Sequence, residues 1–216
     1  MVQGRPVREC IALNHSLAPA RLPPFARGMR IGLFGGSFNP AHEGHRLASL
    51  NALHRLQLDA VWWLVTPGNP LKDNGALPEL VERMSDARKI AQHPKLWVTG
   101  FEATIGTRFT FSTISWLVRR CPGVDFVWIM GADNLAGFHR WQRWRDIADL
   151  VPIAVIDRPG STLRASGGQA GAYFAPHLLP ESNARLLPGY PTPAMVFLHG
   201  RRSSQSSTAI RKLRGL

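Results

Sequence analysis

Short apolar runs of strand length recur along this chain, and amphipathic stretches of helical length separate several of them. Arg30-Ile-Gly-Leu-Phe-Gly35 is the first run and ends in a glycine turn. Ala60 to Thr66 (AVWWLVT), Leu96 to Thr99, Asp125 to Met130 (DFVWIM), Ile153 to Ile156 and Met195 to Leu198 follow. Between them, Glu43 to Leu58 places Leu47, Leu50, Ala52, Leu53 and Leu56 at roughly helical spacing. Leu77 to Gln92, Thr110 to Arg120 and Trp141 to Leu150 also read as helices, and Ser207 to Leu213 opens a last short one. Pro159 to Ala172 is rich in Gly and Ser and reads as a loop. Continuous apolar strands alternating with helices dictate a parallel sheet covered on both faces, an α/β, Rossmann-like doubly wound fold. Ligands of such sheets bind outside the carboxyl ends of the strands, near a topological switch point. The residues directly after Gly35 are therefore the first place to look for chemistry.

The length, 216 residues, suits one domain with a sizeable core. No apolar run approaches the roughly 20 residues that cross a bilayer, and Met1 to Arg30 lacks the continuous apolar core of a signal peptide. Cys10 and Cys121 are the two cysteines. They make no disulfide framework, so a cytoplasmic setting is expected. The net charge of +12 is concentrated at the ends. Residues 1–30 hold five Arg and one Glu, and residues 200–216 hold five basic and no acidic residues, so the middle is close to balanced. Residues 1–29 are expected to form a basic, poorly ordered extension, and residues 30–216 the folded domain.

Gly35-Gly-Ser-Phe-Asn-Pro-Ala-His-Glu-Gly-His45 combines several anion-binding features. Gly35 and Gly36 let a ligand approach main-chain N–H groups closely, and Asn39-Pro40 turns the chain again. His42 and His45 stand three apart at the start of a helix, where free N–H groups and the dipole favour an anion. Two imidazoles there can donate to phosphate oxygens and stabilise charge on a leaving pyrophosphate. The dinucleotide fingerprint GxGxxG is absent, and so is a P-loop GK[ST]. A metal role for the two histidines lacks a third ligand at a familiar spacing, so no metal ligands are assigned. Near the other end, Gln205-Ser-Ser-Thr-Ala-Ile-Arg211 offers hydroxyls suited to capping or to phosphate, followed by a guanidinium one turn later. Taken by itself, that stretch reads equally well as a serine-rich basic tail.

With these residues together, the chain resembles the (H/T)xGH nucleotidyltransferase superfamily, in the form found in bacterial nicotinate-nucleotide adenylyltransferases. His42-Glu43-Gly44-His45 matches the signature, and Gln205 to Arg211 matches the late ISSTxIR motif with Gln205 in place of Ile. Gly131-Ala-Asp133-Asn-Leu135 resembles the family's GxDxL, and Phe138-His-Arg-Trp141 its FxxW. Phe109-Thr-Phe-Ser-Thr113 resembles YTxxT, with Phe109 replacing Tyr. Lys72 matches the last basic residue of a loop in which Leu71 stands where His is common. The resemblance covers about Arg30 to Leu216. Many relatives continue beyond the position of Leu213, so contacts made by that further segment are expected to be missing here.

The resemblance implies that His42, His45 and Arg211 act on the phosphates of ATP. It places Gly35, Gly36, Ser37, Phe38, Gly131, Asp133, Ser207 and Thr208 around ATP. It gives Asn39, Lys72, Thr110, Trp141 and Arg158 to the acceptor, with Trp141 against the nicotinate ring. Trp144, at helical spacing from Trp141, is expected in the core. The implied reaction is adenylyl transfer from ATP to nicotinate mononucleotide, giving deamido-NAD and pyrophosphate, with Mg²⁺ on the ATP phosphates held by waters and few protein ligands. The attacking phosphate is already ionised, so positioning and charge stabilisation suffice. Transfer to another phosphorylated acceptor, such as phosphopantetheine, is the alternative. A nucleic-acid-binding module is a remote one, because the basic ends carry no aromatic-interleaved motif. Neither a nucleic-acid nor a membrane partner is expected. A homo-oligomer is compatible with the resemblance, as is nicotinamide in place of nicotinate.

Overall fold

A computed structural model describes residues 22–68, 71, 77–157, 167–200 and 207–213. Lys72, Arg158, Gln205, Ser206 and residues 1–21 lie outside the described residues.

Seven parallel strands form one sheet in the order β3-β2-β1-β4-β5-β7-β6. They are β1 (Arg30–Gly36), β2 (Ala60–Val65), β3 (Leu96–Thr99), β4 (Asp125–Gly131), β5 (Ile153–Ile156), β6 (Leu178–Leu179) and β7 (Met195–Leu198). The helices are α1 (Glu43–Arg55), α2 (Leu80–Ile90), α3 (Phe101–Thr104), α4 (Thr110–Arg120), α5 (Ala132–Gly137), α6 (Trp144–Leu150), α7 (Gln169–Phe174) and α8 (Ser207–Leu213). The chain first winds outward from β1 to β3, then returns to place β4 on the other side of β1, with Leu33 opposite Trp62 on β2 and Trp128 on β4. That reversal is the switch point expected of a doubly wound sheet.

Two apolar layers flank the sheet because its strands bury both faces. Every residue of β2 is buried. Alternate side chains divide between the layers. Ile31, Leu33, Trp62 and Trp128 join Ile114, Leu135, Ile147 and Phe174 on one face. Phe34, Val61, Trp63 and Val127 join Ala52, Leu56 and Ala87 on the other. Trp144 is buried in the first layer, as expected.

Several boundaries differ from the sequence reading. Helix α1 ends at Arg55 rather than Leu58, because Gln57 takes a left-handed φ of 52°. Helix α2 starts at Leu80, after Pro78, whose ring fits no helix interior. Helix α6 starts at Trp144 rather than Trp141, because Arg143 sits at φ 55°. The expected loop from Pro159 to Ala172 overruns the start of α7 at Gln169. Packing onto the core also begins before residue 30. Leu22, Phe25 and Met29 lie against the first apolar layer, Phe25 meets Trp62 edge to face at 6.3 Å, and the Gly28 N–H donates to the Gly123 carbonyl.

Candidate active site

A cavity of about 570 Å³ opens over the carboxyl ends of β1 and β4. Gly35, Gly36, Ser37, Phe38, His42 and His45 line it from the loop after β1 and the start of α1. Gly131 and Asp133 line it from the end of β4, Thr110 from the start of α4, and Trp141 from the turn before α6. Ser207, Thr208 and Arg211 of α8 complete the wall. Thirteen of the sixteen residues singled out from the sequence thus share one cavity. Of the other three, Asn39 stands just behind the wall, and Lys72 and Arg158 lie outside the described residues.

The loop after β1 is shaped by packing. A Cβ on Gly35 would come within 2.5 Å of Trp128 Cη2, so glycine is what lets the indole lie under the strand end. Phe38 adopts φ 47°, a conformation costing on the order of 1 kcal/mol for a bulky residue. Its ring stacks on Trp63 at 4.8 Å and 11°, which holds it there. Helix α1 begins directly after His42. The His45 amide donates to the His42 carbonyl at 2.9 Å, and the His42 amide donates to His45 Nδ1 at 3.2 Å. The two imidazole centroids are 3.9 Å apart. Below them, Trp63 Nε1 donates to Ser49 Oγ, which donates to the His45 carbonyl.

Helix α8 closes on this loop from far along the chain. Ser207 Oγ donates to the Pro40 carbonyl at 3.0 Å. Arg211 donates through Nη1 to the Asn39 carbonyl and through Nη2 to Thr208 Oγ1 at 3.4 Å. Asn39 therefore serves Arg211 through its main chain.

Sequence reasoning missed several wall residues. Arg108 and Arg140 are exposed guanidinium groups on the cavity wall, beside Thr110 and Trp141 in the chain. Their nearness to Thr110 and Trp141 in sequence was the available signal. Glu102 lines the cavity although it is only 6% exposed. Burial pushes its carboxyl above the ordinary carboxylate range, against the lowering effect of hydrogen bonds with Thr113 and Thr66. Nothing in its local sequence pattern marks it.

The donors facing this cavity suit a polyanion. Among the described residues no group of three His, Cys, Asp or Glu gathers to hold a metal. A magnesium ion bound through phosphate oxygens and waters needs no such cage.

The Cytidylyltransferase-like family matches residues 33–213. A "probable nicotinate-nucleotide adenylyltransferase" of Methylorubrum extorquens is 60% identical over 183 residues, which span 85% of this chain and 99% of that protein. One from Bradyrhizobium is 56% identical, over 85% of this chain and 95% of the relative. The chain belongs to the nicotinate-nucleotide adenylyltransferase family. Its fold is also that of the Plasmodium falciparum nicotinic acid mononucleotide adenylyltransferase complexed with NaAD. The TM-score is 0.62 at 17% identity, covering 85% of this chain and 83% of the other. Among the described residues no helix is long and apolar enough to cross a membrane.

Proposed function

We propose that this enzyme transfers the adenylyl group of ATP to nicotinate mononucleotide, producing deamido-NAD and pyrophosphate. The observation that carries the reading is the meeting of the Gly35–His45 segment and Arg211 with Thr110 and Trp141 around one cavity. A phosphate oxygen of the mononucleotide attacks the α-phosphorus in line. The bond to the bridging oxygen of the β-phosphate breaks, and the electron pair leaves with pyrophosphate.

His42, His45 and Arg211 stabilise the charge that builds on the leaving group, while Gly35, Gly36 and Ser37 bring backbone amides to the phosphates. Ser207 and Thr208 hold the closing segment, and Phe38, Gly131 and Asp133 flank the nucleoside. Trp141 packs on the pyridine ring. The first-turn amides of α4, which have no partner inside the helix, face its carboxylate at Thr110. Lys72 and Arg158 are assigned to the acceptor by the family resemblance alone. A magnesium ion bound through the ATP phosphates would supply charge neutralisation there. The compartment is the cytoplasm, and no nucleic acid takes part.

The test is pyrophosphate release with ATP and a panel of acceptors: nicotinate and nicotinamide mononucleotides, FMN and phosphopantetheine. Turnover is expected with nicotinate mononucleotide, at a kcat/KM above that for the amide. Turnover of another acceptor with none of nicotinate mononucleotide overturns the reading.

A further inference from the structure

Arg108 stands in the loop before α4, two residues from Thr110, and Arg140 ends the 3₁₀ turn Phe138–Arg140 that leads directly into Trp141. Both are exposed, and both line the cavity. The Arg108 guanidinium carbon lies 5.9 Å from the centre of the Phe109 ring. Arg140 folds back over the end of α5, where a Cβ on Gly137 would stand 2.9 Å from its Nη2. Among the described residues neither guanidinium makes a hydrogen bond or an ion pair. Other cations near the cavity are spent on the protein. Arg211 donates to the Asn39 carbonyl and to Thr208. Arg83, on α2, is 3% exposed and donates through Nη1 to the Ser37 and Thr66 carbonyls, both at 2.9 Å, and through Nε to the Pro78 carbonyl at 2.8 Å. The carboxyl groups of the wall, Glu102 and Asp133, are not ion-paired to Arg108 or Arg140.

On an open surface an unpaired guanidinium needs no ligand. Two in the concave wall of one cavity focus a positive field into it. Nicotinate and nicotinamide mononucleotides differ at one group, which is where such a field tells. The amide has a carbonyl oxygen, so a backbone N–H at the start of α4 can serve either ring. The carboxylate adds a full negative charge. A guanidinium gains that charge and a second acceptor oxygen with the acid, but only a neutral acceptor with the amide.

We propose that Arg108 and Arg140 are specificity-determining residues that draw the ring carboxylate of the acceptor toward Thr110 and Trp141, so that the enzyme takes an acidic pyridine in preference to its amide. The inference rests on the function proposed above, which puts the pyridine at Thr110 and Trp141.

The test is kcat/KM for nicotinate and nicotinamide mononucleotides, at saturating ATP, in wild type, Arg108→Gln, Arg140→Gln and the double variant. The ratio of nicotinate to nicotinamide falls about 3- to 30-fold in each single variant, between the worth of an exposed ion pair and that of a hydrogen bond to a charged group. It falls further in the double variant. Arg140→Lys keeps the charge without the planar fork and retains part of the preference. Added salt narrows the wild-type ratio and moves that of the double variant less. Both side chains are exposed, so melting temperatures stay near wild type. A variant that does melt early still reports, because a loosened fold lowers both acceptors together and leaves their ratio alone. The inference is overturned if the ratio in the double variant matches wild type. It is overturned too if both acceptors lose equally, which would put the arginines on the phosphate that the two share. A wild type that turns over no nicotinate mononucleotide brings down the proposed function and this inference with it. A wild type that prefers nicotinate, with the ratio unmoved in the double variant, overturns this inference alone.

Discussion

The backbone N–H of His42 donates to Nδ1 of His45 across the first turn of α1, at 3.2 Å. This one bond sets what His45 offers a ligand. With Nδ1 accepting, a neutral imidazole carries its proton on Nε2 and presents a donor to a phosphate oxygen. The bond is also half of a capping box, which Gln can supply from the same position. His45→Gln should therefore keep the melting temperature near that of wild type and lose on the order of 10² in kcat, by analogy with removing one transition-state donor. His45→Ala loses the cap as well, so its melting temperature should fall too. Equal melting curves for the two variants, or near-normal kcat in either, would remove His45 from the chemistry.

Arg211 reaches the phosphate loop from the far end of the chain and spends one N–H on the Asn39 carbonyl and another on Thr208. A planar fork can make those bonds and still present N–H groups to a phosphate, while a lysine ammonium cannot match both geometries. Arg211→Lys should cut kcat/KM for ATP by about 10²-fold, close to the loss in Arg211→Ala. Ser207→Ala removes only the bond to the Pro40 carbonyl, a neutral contact of about 1 kcal/mol. A loss of no more than about tenfold is expected there. Steady-state kinetics with ATP varied would show Arg211 to be dispensable if Arg211→Lys matched wild type.

Much of the fold was legible because its strands are buried on both sides. AVWWLV at β2 has no polar residue to confuse the reading, and the GGSFNPAHEGH string carries its own chemistry. The start of α6 was not legible, since a left-handed Arg143 is set by tertiary packing; its guanidinium lies 3.8 Å over the Phe111 ring. Arg83 was missed because a charged residue in an amphipathic stretch reads as solvent-facing. It in fact stands on the stripe formed by Leu80, Met84 and Ala87, where spacing predicts burial. Glu102 offered no comparable sign, because the hydroxyl that donates to it, Thr113 Oγ1, comes from another helix.

Gly35 gives a prediction about shape. A Cβ there meets Trp128 Cη2 at 2.5 Å, and Trp128 stands edge-on to Trp141 at 6.1 Å between ring centres. Pushing the buried indole aside should cost about 1–3 kcal/mol, the usual range for overpacking. It should also disturb the ring wall at Trp141. Gly35→Ala is expected to lower stability in urea and raise KM for the mononucleotide. Adding Trp128→Phe, which removes the clashing atom, should restore part of the stability lost. If the double variant is no more stable than the sum of its parts, contact with Trp128 is not the reason for glycine at this position.

Glu102 predicts a pH dependence whose direction follows from its burial. Its carboxyl titrates above the ordinary value of 4.5, chiefly because burial penalises the charged form. A group whose folded pKa is raised binds its proton more tightly in the folded state. The stability it contributes is fully present below the unfolded value and is lost as pH rises through the folded one. Glu102→Gln has no proton to lose. Relative to wild type, the variant should therefore gain stability steadily as pH climbs from about 4.5 through the raised pKa, and the gap should level off above it. Urea denaturation of both proteins at intervals from acid to mildly alkaline pH would show this. A gap that stays constant, or one that widens toward acid, would mean that Glu102 is ionised in the folded protein.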